Sequence, residues 1–125
     1  MRHAINAYAK TAKETANPRD LEAILLLEAA AKLQKALDEG NVNPSELLNE
    51  ALLYNRRLWT ILLDAVVRDD NGLPLKVRQN LTQLGVYVMG ETFSMMTKPN
   101  LDHLKAMIKV NRSIATGLRP RPPTA

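Results

Sequence analysis

Helix-breaking clusters cut this 125-residue chain into helix-length pieces. That punctuation constrains the fold more than any single residue does. The breaks are Asn17-Pro18, Gly40-Asn41 through Asn43-Pro44, Asp69-Asp70-Asn71-Gly72 with Leu73-Pro74, and Thr97-Lys98-Pro99-Asn100. Proline lacks the N–H that a helix interior needs, and glycine past a last turn closes a helix. Between the breaks, apolar residues recur every three or four positions, the period of a helix with one buried face. Leu and Ala, both strong helix formers, dominate those positions. Five aromatic residues and five glycines in the whole chain are too few for the many turns and β-forming strands of a sandwich or barrel. The expected class is all-α, a compact bundle of four to five helices.

Five helical segments follow. The first covers about Met1 to Ala16, with a thin stripe of Ala4, Ile5, Tyr8, Ala12 and Ala16, too weakly apolar to stand alone. The second starts at Asn17-Pro18 and runs to about Glu39. Its stripe is Leu26, Ala30, Leu33 and Leu37, widened by Ala23, Leu27 and Ala31, with Leu21, Ile24 and Leu25 adding bulk; Gly40 closes it. Asn43-Pro44-Ser45-Glu46 reads as a cap, a first-turn proline and a capping-box glutamate. The third helix then runs from Pro44 to about Arg68. It carries two adjacent stripes, Leu48-Leu52-Asn55-Trp59-Leu62-Val66 and Leu47-Ala51-Tyr54-Leu58-Ile61-Ala65, which places it at the centre of the fold.

The fourth helix begins at Leu73-Pro74 and ends near Met96, with Val77, Leu81, Leu84, Val88 and Met95 on one face. Gly85 and Gly90 inside it each cost about 1 kcal/mol relative to alanine, a cost that close packing would explain. The fifth spans about 100–116, with Leu101, Leu104, Met107, Ile108 and Ile114 apolar, and Gly117 as its stop. The domain is therefore expected over residues 1–117. Residues 118–125, with three prolines and two arginines, read as a disordered, flexible tail.

Composition excludes several functions. The chain has no cysteine, so disulfides, thiolate metal sites and cysteine nucleophiles are absent. No apolar run nears the roughly 18–20 residues of a membrane span, and the start lacks the apolar region of a secretory signal. A soluble, cytoplasmic protein is the expectation. No metalloprotease, nucleophile-elbow or phosphate-loop motif occurs. Asp69 to Gly72 lacks the alternate spacing and distal glutamate of a calcium loop, and reads as a polar turn. Asp102-His103 reads as an exposed pair. No enzyme, cofactor or metal is expected.

Charge is unevenly placed. Residues 1–70 carry nine Lys and Arg against eleven Asp and Glu, whereas residues 71–125 carry eight against two. The basic residues of that second portion are Lys76, Arg78, Lys98, Lys105, Lys109, Arg112, Arg119 and Arg121. They suit an acidic partner or nucleic acid. Stacking residues there are limited to Tyr87 and Phe93, both among apolar neighbours. RNA readers combine charge with stacking, so direct RNA binding is the weaker reading. The stretch Gly85 to Met96 is rich in Val, Met and Gly, a composition found both in cores and in grooves that accept partner helices.

Asn55-Arg56-Arg57-Leu58-Trp59 is the most unusual run. Trp59, the only tryptophan, and Leu58 fall on apolar stripes and belong in the core. An amide at Asn55 on such a stripe needs partners; it caps a neighbouring helix, bonds across a packing seam, or faces a groove. Arg56 and Arg57 can clamp carboxylates or phosphates.

With Asn6-Ala7-Tyr8, Pro18-Arg19-Asp20-Leu21-Glu22, Leu52, Asn55 through Thr60, Leu73-Pro74, Asn80 and Leu84-Gly85-Val86, the chain resembles the FlaF family, small flagellar regulators of alphaproteobacteria. The likeness covers about residues 4–95. It implies a factor for flagellin synthesis and export that works alongside the regulator FlbT and binds flagellin as a chaperone, without catalysis or cofactor. The family's Asn-Arg-Arg-Leu-Trp motif carries over to Asn55 through Trp59, and Leu58, Trp59, Pro74 and Gly85 are the positions read as structural. Asn55, Arg56 and Arg57 are the candidate partner contacts at a groove rim. Two other readings are an RNA-binding regulator of flagellin message and an adaptor acting only through FlbT. A core Trp59 predicts that Trp59→Ala costs about 3–5 kcal/mol. Equal thermal melts for the variant and the wild type would remove Trp59 from the core.

Overall fold

The computed structural model describes residues 18–40, 46–68, 70 and 72–119. Within them lie four helices and no strand: α1 (Pro18–Asp38), α2 (Glu46–Val66), α3 (Leu75–Thr97) and α4 (Leu101–Leu118). The first expected helix, the Asn43-Pro44 cap and residues 120–125 lie outside the described residues.

The helices alternate in direction and form a four-helix bundle, as short connections dictate. α1 packs most extensively along α4 and also along α2, and α2 packs along α3. α3 and α4 touch only lightly, although three residues join them. The order around the bundle is thus α1, α2, α3, α4, with a loose closing seam. α2 is the spine, as its double stripe predicts. It buries nine positions, whereas the longer α3 buries four, so α3 is the peripheral helix.

The core is Leu-rich with two aromatics. Leu26, Leu33, Leu48, Leu52, Leu58, Tyr54, Trp59, Val88, Met95 and Leu104 are all sealed from solvent. Tyr54 buries its ring while its hydroxyl donates to Glu28 Oε2 at 3.0 Å, and Lys32 Nζ sits 5.0 Å from the ring centroid. This joins α1 to α2 with a polar bond and a cation–π contact. On α1, Ala31 and Ile24 turn out to face solvent, while Ala29 and Ala36 are buried. The contact with α4 rotates the buried face away from the expected stripe. Ile61, Val77 and Leu101 are likewise exposed.

The ends follow local chemistry. Gly40 has φ +68°, and its N–H donates to Leu37 O at 3.1 Å, the left-handed closure that glycine permits. α2 stops at Val66, two residues short of the expected Arg68. Pro74 is the residue before α3, not inside it: its ψ of 147° is extended, and the Arg78 N–H donates to its carbonyl at 3.0 Å. Asn100 caps α4 by accepting the His103 N–H at 3.0 Å. Gly117 does not stop α4. It keeps a negative φ, and the helix runs on to a half-buried Leu118.

The two glycines of α3 differ. A Cβ at Gly85 would lie 2.8 Å from Leu63 Cγ, and closer still to Leu63 Cδ2, so the missing side chain lets α3 approach α2. A Cβ at Gly90 would meet nothing within 4 Å. Gly90→Ala is therefore expected to stabilise the fold by about 0.5–1 kcal/mol through helix propensity. Gly85→Ala should lose that gain to the Leu63 overlap and come out destabilised. Urea unfolding of both variants checks the pair; equal gains would refute close packing at Gly85.

Candidate partner-binding surface

The motif Asn55 through Trp59 splits into an inner and an outer half. Helical spacing turns Asn55, Leu58 and Trp59 inward and Arg56 and Arg57 outward. Trp59 is 1% exposed and Asn55 0%. Trp59 Nε1–H donates to Asn111 Oδ1 at 3.0 Å, and Asn111 Nδ2–H donates to Asn55 Oδ1 at 2.6 Å. Asn111, itself fully buried, stands on α4. The three side chains thus bridge α2 and α4, which are diagonal partners rather than neighbours.

This corrects Asn55 as a groove-rim contact: its amide bonds across a packing seam inside the bundle. Its Nδ2 has no hydrogen-bond partner among the described residues. Asn111 was overlooked at the sequence level. The signal was present, because Asn111 continues the stripe Leu104, Met107, Ile108 toward Ala115 at three- and four-residue steps.

Arg56 and Arg57 stay candidates for contact. Both are exposed, and neither guanidinium has a carboxylate partner among the described residues. Arg78 has a different task. Its Nη1–H donates to Arg68 O at 3.1 Å and reaches Val66 O at 3.5 Å. It thereby satisfies carbonyls at the end of α2, where a cation also suits the helix dipole. The expected Asp102-His103 pair does not form the main contact. His103 Nδ1 lies 2.6 Å from Glu91 Oε2 across the α3–α4 seam, though that oxygen meets no hydrogen-bond geometry.

The surface that stands out belongs to α3. After Arg78, the only charged residue up to Thr97 is Glu91, and Glu91 is turned onto His103. Leu75, Gln79, Gln83, Val86, Tyr87, Gly90, Phe93, Ser94 and Thr97 are all exposed and fall on one face at helical spacing. Phe93 is 74% exposed, Val86 65% and Tyr87 51%. The sequence reading set Tyr87 and Phe93 among apolar neighbours; instead they point to solvent. One end of this face borders an open groove between α2 and α3, lined by Val67, Leu75, Gln79 and Gln83 together with the cations Lys76 and Arg78. Contiguous apolar side chains without charge are unusual on a monomer's surface and mark interaction sites.

The cations of α4 lie elsewhere. Lys105, Lys109 and Arg112 line a groove against α1, with Leu37 and Ile108 at its floor and Gln34 Oε1 3.5 Å from Arg112 Nη2. At the opposite end of α1, Arg19 Nε pairs with Glu22 Oε1 at 3.0 Å. Burial pushes the Glu22 carboxyl above its ordinary range, and the Arg19 charge pulls it partly back.

The family model of the flagellar protein FlaF matches residues 4–118. The chain belongs to the FlaF family. No curated protein and no solved structure matches it. The FlaF match thus spans all four helices and part of the segment before α1. None of these helices is long and apolar enough to cross a membrane.

Asn111 supplies the sharpest test of the inner half. Asn111→Ala strands the Trp59 N–H and the Asn55 Oδ1 and leaves a cavity, at an expected cost of about 2–4 kcal/mol. Asn111→Leu, which keeps the volume, should still destabilise by about 1–3 kcal/mol. Chemical denaturation measures both. A neutral Asn111→Leu would mean that the amide contributes packing alone.

Proposed function

We propose that this FlaF-family protein is a non-catalytic, cytoplasmic chaperone for flagellin, promoting its synthesis and export alongside FlbT. The observation that carries the reading is the outer face of α3 beyond its first turn, uncharged from Gln79 to Gly90 and again from Thr92 to Thr97, with Val86, Tyr87 and Phe93 open to solvent. The terminal segments of flagellin are amphipathic helices whose apolar faces need cover before assembly. A helix face with apolar anchors at i and i+7, as Val86 and Phe93 supply, matches a partner helix laid along it. Gly90 lets the partner backbone come close. Arg56 and Arg57, on the exposed side of α2, offer fixed cations to carboxylates at the rim.

The RNA reading has less support. Three of its cations, Lys105, Lys109 and Arg112, line the α1–α4 groove, apart from the stacking residues Tyr87 and Phe93 on α3. Single-stranded RNA needs the two interleaved. The adaptor reading differs from the chaperone in partner rather than in surface, and pull-downs of FlbT in the absence of flagellin separate them.

Calorimetry on purified protein and flagellin tests the proposal. Binding is expected in the micromolar range or tighter. Phe93→Asp should abolish it with little change in melting temperature, because the ring is solvent-exposed. Arg56→Glu should weaken it by roughly tenfold, about 1.4 kcal/mol. Absence of wild-type binding at tens of micromolar would reject the chaperone role, and full binding by Phe93→Asp would reject the α3 face.

A further inference from the structure

The apolar side chains that α2 and α3 leave in solvent are not scattered. The four most exposed large ones among the described residues are Phe93, Val67, Val86 and Leu75, at 61–74%. All four border the outer valley between α2 and α3. Leu63 shows which side of α2 looks toward α3, because it fills the space where a side chain at Gly85 would stand. Arg56, Thr60, Leu63 and Val67 share that side at steps of four, three and four. Leu53, also exposed, precedes Thr60 and Val67 at steps of seven. On α3, Leu75, Thr82, Val86 and Phe93 follow one another at steps of seven, four and seven. Val67, Leu75 and Thr82 line one open groove of about 580 Å³, so the two rows face each other across the valley. Tyr87 stands apart from them. It lies four residues before Glu91, which turns toward His103 of α4.

Charge along the valley has one sign. Neither row holds a carboxylate. Asp64, beside the α2 row, pairs with Arg68 at 3.2 Å. Lys76 and Arg78 line the groove at one end. The other end has Arg56. Because α2 and α3 run in opposite directions, Arg56, seven residues before Leu63, stands at about the height of Phe93, eight residues after Gly85. Arg57 lies about 100° further round α2 and points away from α3. A second copy laid face to face would bring the same cations and no acid to answer them. A nucleic acid would use the cations, but the aliphatic rows offer its bases only one ring, that of Phe93.

We propose that this valley seats one amphipathic helix of a partner protein, about 18 residues long to match the roughly 27 Å from Leu75 to Phe93. Its apolar stripe fills the two rows, and carboxylates flanking the stripe meet Arg56 and Lys76. The inference rests on the chaperone reading and narrows it: the partner contacts α2 and α3 together, and Arg56 rather than Arg57 is the arginine it meets.

Calorimetry on the full-length protein with purified flagellin tests the assignment. Val67→Asp and Leu53→Asp change exposed positions, and should keep the wild-type melting temperature while weakening binding by about tenfold or more. Arg56→Gln should weaken binding by about three- to tenfold and reduce its dependence on salt. Arg57→Gln should leave both within about twofold of wild type. If Phe93→Asp abolishes binding but Val67→Asp and Leu53→Asp do not, the chaperone reading stands and the two-helix valley is overturned. Equal losses at Arg56 and Arg57, or a loss at Tyr87→Asp with none at Val67→Asp, would also overturn it. A Val67-dependent dimer in sedimentation of the protein alone, or Val67-dependent binding of single-stranded RNA, would change the occupant and overturn it as well. No wild-type binding at all would remove the chaperone reading itself, and this inference with it.

Discussion

The Trp59–Asn111–Asn55 chain of hydrogen bonds fixes how the diagonal helices of the bundle face each other. Most of the interior is Leu and Ala, and such side chains fill space without specifying it, since a helix can slide or rotate against a Leu-rich partner at small cost. Hydrogen bonds are directional and strong when shielded from water. Two in series, at 3.0 and 2.6 Å, hold α4 at one rotation and one height relative to α2. The arrangement has a cost, because Asn55 Nδ2 is buried without a partner among the described residues and an unmet buried donor disfavours folding by about 1–3 kcal/mol. Large burial around it, on both stripes of α2, offsets that.

Much of the architecture was legible in the chain. Breakers and stripes located the four described helices, and the double stripe identified α2 as the spine. Trp59 and Leu58 are core residues, and Gly85 sits at a close helix contact, as their positions implied. What a stripe cannot tell is which neighbour it will meet. α1 turned Ala29 and Ala36 inward and Ala31 outward because α4 lies where it does. Asn111 was missed because an amide on an apolar stripe was weighed at Asn55 alone, although the same physical argument applied to both. Asn55 could bond inward or face a groove, and only its pairing with Asn111 decides between them. Arg78 read as surface charge because its acceptors, Val66 O and Arg68 O, are main-chain atoms with no sequence signature.

The exposed face of α3 was least legible, for a related reason. Val86 and Phe93 fall away from the inner stripe of that helix, and apolar residues on more than one side ordinarily mean burial on more than one. Burial on all sides needs partners on all sides, and α3 has one close neighbour, α2, and a light contact with α4. Val88, Thr92 and Met95 use the inner face. Val86, Tyr87 and Phe93 have nothing left to pack against within the described residues. Apolar content in excess of what the bundle can cover is what a partner-binding helix carries.

Charge placement reinforces that division of labour. The basic half of the chain looks like a nucleic-acid surface when charges are counted along the sequence. In three dimensions its members have separate tasks. Arg78 closes the end of α2, and Lys105, Lys109 and Arg112 line a groove on the far side of α4 from the seam with α3. Glu91, the single acid on the later part of α3, is drawn to His103 and away from the outer face. That leaves the outer face of α3 neutral beyond Lys76 in its first turn. A neutral, apolar face has little attraction for phosphate and much for another apolar surface, whereas the net charge of +4 alone points the other way.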